Sequence, residues 1–116
     1  MKPKNIKEFQ ALVKRYETIT LEEIDEQWYY NENIARDLTG IGSPHTCTLC
    51  LAVGRVEGGL CDCSSCVYNK FYGCVQGENS ESYDNIIEAE SPEGLLSAFH
   101  ARAEHLRKTY PQYLES

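Results

Sequence analysis

The chain has 116 residues, six cysteines and a formal net charge of -7. That length suits one domain and is too short for two ordinary cores. Hydrophobic residues make up 41% and charged residues 25%, which argues against wholesale disorder, and 11 Lys and Arg against 18 Asp and Glu exclude a strongly basic nucleic-acid binder.

The first predicted helix starts at Asn5, an N-cap residue, with Glu8 three positions on at capping-box spacing. Ile6, Phe9, Leu12, Val13 and Tyr16 fall on one stripe at a 3.6-residue period. The second starts at Thr20 with Glu23, a full capping box. Its stripe continues through Leu21, Ile24, Trp28, Ala35 and Leu38 until Gly40-Ile41-Gly42 stops it. A cysteine region follows, Ser43 to Gly77, holding five of the eight glycines. Within it, short Val/Leu runs flank Glu57-Gly58-Gly59, the look of a hairpin turn. Ser80 to Glu90 reads as a short helix around Tyr83, Ile86 and Ile87. The last helix opens on Ser91-Pro92-Glu93: an N-cap, a proline whose missing N–H costs nothing there, and an acid for the helix dipole. Leu95, Leu96, Phe99, Ala103 and Leu106 form its stripe. Arg107 and Lys108 close it, with Pro111 just beyond.

No run approaches the ~18–20 apolar residues of a membrane span. The stretch Met1 to Glu8 is basic but lacks the apolar core of a signal peptide. A cytoplasmic location is therefore expected. Thiols stay reduced there, so clustered cysteines read as metal ligands before disulfides.

All six cysteines lie between Cys47 and Cys74. Two C-x2-C units stand out, Cys47/Cys50 and Cys63/Cys66. Two residues between ligands let both sulfurs of a tight turn face one ion at about 2.3 Å, and two such turns supply four thiolates to a tetrahedral zinc. Cys47, Cys50, Cys63 and Cys66 are thus the expected ligands of one structural zinc, with Cys61, Cys74 and His45 as possible substitutes. The segment Leu51 to Asp62 is long enough for a short hairpin. Val67 to Gly73 reads as helical, which would set Cys63 and Cys66 at a helix N-terminus. The expected fold is small α+β, mostly helical, with helices around a four-cysteine zinc module of treble-clef-like or zinc-ribbon-like form. Residues 1–116 form one domain in this reading, and 43–77 is the embedded metal module. A closed four-thiolate site leaves no open position for catalysis. An iron–sulfur cluster and disulfides stay open as alternatives.

Cys47-Thr48-Leu49-Cys50, Cys63-Ser64-Ser65-Cys66-Val67-Tyr68 and Gly73-Cys74 resemble the C-P-L-C, C-x-x-C-P and G-x-C order of largely uncharacterised small cysteine-rich proteins of bacteria and phages. The resemblance spans roughly residues 45–77. It departs at Thr48 and Val67, where that pattern often has proline, and at the extra Cys61. It implies a metal site with Cys74 as a candidate ligand, and no activity.

Charge is uneven. Residues 1–16 carry five bases and one acid, 17–40 seven acids and one base, and 79–94 five acids and no base. The plain reading is solvated helix faces; the sharper one is an acidic surface that meets a basic partner. His100 and His105 would point about 140° apart on a helix and do not form a pair. Tyr68, Phe71 and Tyr72 are expected to pack helices onto the metal module. Tyr29 and Tyr30 cannot both face the direction of Trp28, so at least one should reach the surface. No phosphate-binding glycine loop, H-E-x-x-H or G-x-S-x-G is present. The leading expectation is a non-enzymatic, zinc-stabilised protein–protein interaction module, an adaptor or inhibitor, that uses Glu22, Glu23, Asp25, Glu26 and Glu32. Nucleic-acid binding by the zinc module and cysteine-dependent redox or enzyme chemistry are the alternatives.

Overall fold

In the computed structural model, the structure describes residues 3–32, 34–39, 52–54, 65–68 and 77–114. The periodic stripe near the start of the chain forms α1 (Ile6–Thr18) and buries Phe9, Leu12, Val13 and Tyr16. Thr20 caps α2 (Leu21–Gln27): its hydroxyl accepts from the Glu23 N–H, and the Glu23 carboxylate accepts from the Thr20 N–H at 2.8 Å. After a turn, α3 (Ile34–Thr39) buries Ile34. A single 3-10 turn, Gly77–Asn79, leads into α4 (Ser80–Ile87). Ser91 accepts from the Gly94 N–H and caps the long α5 (Pro92–Thr109), with Pro92 in its first turn. A short α6 (Pro111–Leu114) follows.

Helix α5 is the hub, packed by α1, α2, α4 and α6. Leu95, Ala98, Phe99, Ala103 and Leu106 from α5 meet the α1 stripe, Ile24, Ile34 and Ile86 in one apolar cluster. Phe9, Tyr68 and Tyr110 join it as a trio of rings in edge-to-face contact, their centroids 5.4–5.7 Å apart. Polar clamps brace the outside. Arg107 grips Glu17 with two bonds of 2.7 Å, tying α5 to α1. Arg15 reaches from α1 to the Glu23 carboxylate and to the Leu38 carbonyl, each at 2.9 Å, so one guanidinium holds α2 and the end of α3.

The α+β expectation is overturned. The described residues are mostly helical and contain no strand. Ala52 and Val53, which a hairpin would put in a strand, have helical backbone. Gly54 then turns left-handed at φ 79°, a conformation open to glycine and typical of helix ends. Residues 66–68 form a bend and a turn, and the rest of the helix expected over Val67–Gly73 lies outside the described residues. Among the described residues, no group of three or more His, Cys, Asp or Glu could hold a metal ion. The treble-clef-like or zinc-ribbon-like architecture therefore falls.

Two further details differ from the sequence reading. The helix expected from Thr20 to Leu38 is two helices. Asn31 side-chain N–H groups bond the Gln27 and Asp37 side chains across the break, and the Tyr30 and Asn31 backbone N–H groups fold back on the Gln27 carbonyl. Asparagine competes for helix hydrogen bonds in this way. The Asn5 side chain does not cap α1; it is fully buried and bonded elsewhere. No helix among the described residues is long and apolar enough to cross a membrane.

Candidate functional site

The described residues of the expected sites lie in two places: the junction that holds Cys66, and the acidic face around α2 and α4. At the first, the Lys4 N–H donates to the Ser65 carbonyl at 2.8 Å. The Asn5 amide completes the junction, its Oδ1 accepting from the Val67 N–H at 2.9 Å and its Nδ2 donating to Cys66 Sγ at 3.1 Å. A metal-bound cysteine sulfur can accept such a bond, so the Asn5 contact is compatible with Cys66 as a ligand. Tyr68, two residues on, is buried against Phe9 and Tyr110, as expected of a ring that packs the cysteine segment onto the helices.

The other metal candidates, Cys47, Cys50, Cys61, Cys63, Cys74 and His45, lie outside the described residues, as do Phe71 and Tyr72. Cys66 alone of the expected ligand set is described, and it is half-buried.

The acidic face is fully described. Glu22, Asp25, Glu26 and Glu32 are exposed, and none takes part in an ion pair among the described residues. Glu23 differs. The Thr20 backbone hydrogen bond, helped by the Arg15 guanidinium, holds its carboxyl below the usual range, so it serves the fold. Both tyrosines of the Trp28-Tyr29-Tyr30 turn reach solvent, Tyr29 at 95% and Tyr30 at 75% exposure. Trp28 itself turns inward and lines a groove of about 350 Å³ between the α2–α3 turn and α4. Ile34, Ile86 and Leu95 supply apolar wall, and Ile87 sits there while still 59% exposed.

Sequence reasoning also missed a buried polar hub. Asn79 Nδ2 donates to the Tyr110 hydroxyl at 2.8 Å, and His105 Nε2 donates to Asn79 Oδ1 at 2.7 Å. The Arg102 guanidinium donates to the Asn79 carbonyl at 2.9 Å and to the Ser82 hydroxyl at 2.8 Å. Burial, then the neighbouring Arg102 charge, pushes the His105 pKa down from its ordinary value. Arg102 lies three residues after Phe99, on the apolar stripe of α5, and that placement was the available signal. His100 is exposed and His105 half-buried, and the two form no pair. No family model matches the chain, and it matches neither a curated protein nor a solved structure.

Proposed function

We propose that the chain is a non-enzymatic protein–protein interaction module, an adaptor or inhibitor, that meets a basic partner through the acidic surface around α2. One observation carries this reading: four exposed carboxylates without ion pairs among the described residues flank an exposed pair of tyrosines. Unpaired surface charge steers association, and tyrosine adds contact area at low entropic cost. Glu22, Asp25, Glu26 and Glu32 are the partner-facing residues, and Glu23 braces them through α2.

The same reading gives the cysteine region one structural zinc. Cys47, Cys50, Cys63 and Cys66 are the proposed ligands, with Cys61, Cys74 and His45 as substitutes. Support comes from the paired C-x2-C spacing and from the buried Asn5 amide donating to Cys66 Sγ. When bound, zinc would cross-link a glycine-rich segment to the start of α1.

Two measurements test these statements separately. Affinity pull-down should lose its specific partner when Glu22, Asp25, Glu26 and Glu32 are all changed to Lys. Recovery of the same partner would overturn the acidic-surface reading. Metal analysis of protein purified without added metal should find one zinc per chain, and chelation should loosen residues 43–77 before the helices. Metal-free protein with six reactive thiols and unchanged circular dichroism would remove the zinc.

A further inference from the structure

We propose that the groove between the α2–α3 turn and α4 is the seat of an amphipathic, basic helix from the partner protein. This rests on the interaction reading above and specifies its occupant. The groove is apolar where Ile34, Ile86 and Leu95 wall it, and Trp28 and Ile87 offer large surfaces at its edge. Its volume, about 350 Å³, is at the low end for a ligand pocket and suits the anchoring side chains of one helix face.

Charge decides the occupant. Glu32 lines the groove, and the exposed acids Asp25 and Glu26 precede Trp28 by one turn or less. On the other side, Asp84 and Glu88 are exposed and follow directly after Tyr83 and Ile87, which line it. The stretch 79–94 contains no base at all. Arg36, the one base among the described lining residues, sits 3.9 Å from Asp37. An apolar floor between two acidic banks fits a segment with apolar residues at i, i+3, i+4 and i+7 and Lys or Arg on its flanks. The walls are helices and the described residues offer no sheet edge, so the helix-in-groove mode applies rather than strand addition. The same acidity repels nucleic acid.

Trp28 is the only tryptophan of the chain, so its emission reports this groove directly. The full chain is titrated with a synthetic peptide of about 15 residues carrying leucines on one helical face and lysines elsewhere. A second peptide has the same leucines with glutamates. The lysine peptide should shift Trp28 emission saturably and bind about tenfold or more weakly when salt rises from about 50 to about 500 mM. The glutamate peptide should not bind. Ile87→Asp is the decisive variant: it adds an acid, so pure charge attraction would strengthen, whereas a seat in the groove weakens by about tenfold. Ile87 is 59% exposed, so circular dichroism and Tm of this variant should match the native chain.

The failures separate. Lysine-peptide binding that is lost on charge reversal of Glu22, Asp25, Glu26 and Glu32 but leaves Trp28 silent and ignores Ile87→Asp overturns the groove and keeps the acidic surface. Absence of lysine-peptide binding, or equal binding of both peptides, overturns both.

Discussion

Two buried asparagines, Asn5 and Asn79, do comparable work beside one cluster of three rings. Asn5 ties the cysteine segment to α1 through the Val67 N–H and the Cys66 sulfur. Asn79 ties the start of α4 to α5 through Tyr110, His105 and its own carbonyl on Arg102. Tyr68 and Tyr110, in contact with each other and with Phe9, connect the two. The partners differ in chemistry. One amide leans on a thiol, which answers to metal and oxidant. The other leans on an imidazole, which answers to acid. Similar local packing thus gives the two junctions different sensitivities.

The largest way to break this arrangement is to remove what the junctions share. Phe9→Ala should cost about 3–5 kcal/mol by denaturant unfolding, because the ring is fully buried and touches both tyrosines. Equal loss of protection at both junctions in hydrogen exchange would show that the rings couple them. Next come the asparagines. Asn5→Leu and Asn79→Leu each leave buried polar groups without their partner and should cost about 2–4 kcal/mol. Only the Asn5 variant should change the alkylation rate of Cys66; a similar change in both variants would erase the distinction. Tyr110→Phe removes one acceptor from Asn79 and should cost about 1–2 kcal/mol while leaving Cys66 reactivity unchanged.

Acid sharpens the contrast. The folded-state pKa of His105 lies below its usual value of about 6.5. Below that value the unfolded chain takes up the proton first, so stability from this site is full above about 6.5. It falls as the pH drops from there toward the folded-state pKa. His105→Gln should flatten this part of the stability curve, and a curve unchanged by the substitution would remove His105 from the account. The carboxyls of Glu17 and Glu23 are also depressed. Glu17 owes this first to its Arg107 hydrogen bonds, and Glu23 first to the Thr20 backbone bond. Their contribution is present above the ordinary carboxyl pKa and is lost as the pH falls through the lowered one. The smallest effect belongs here. Glu17→Gln should cost only a few tenths to about 1 kcal/mol, and high salt should shrink it further.

How much the sequence discloses varies with the kind of interaction. Helix α5 is legible end to end, since Ser91, Pro92, the apolar stripe and the basic last turn are all local signals that agree. The short helix around Tyr83 and Ile86 is legible from its apolar residues alone, since it has neither a side-chain cap nor a basic last turn. The break between α2 and α3 is not, because Trp28, Ala35 and Leu38 keep a helical period across a turn whose stop lies in the Asn31 side chain. Asn5 misleads in another way. Its type and spacing suit a cap, yet a sulfur 61 residues away claims its amide. Among the proposed partner residues, Glu23 has the charge of its neighbours but stands at the capping-box position after Thr20, and its Thr20 and Arg15 bonds separate it from the exposed four. The groove was half visible: adjacent Ile86 and Ile87 cannot both face inward on a helix, so one had to be left for another surface.

The pairing of α1 with α5 has a consequence for synthesis. Phe9, Leu12, Val13 and Tyr16 are covered by residues of α5, with Arg107 closing on Glu17 across 90 positions. At about 5–20 residues per second, the apolar face of α1 waits roughly 5–20 s on the ribosome before its cover is made. Lys4, Lys7 and Lys14 flank that face meanwhile, and like charge of this kind favours dispersal. Folding of the core is therefore a late event, set by arrival of the last long helix rather than by formation of the first.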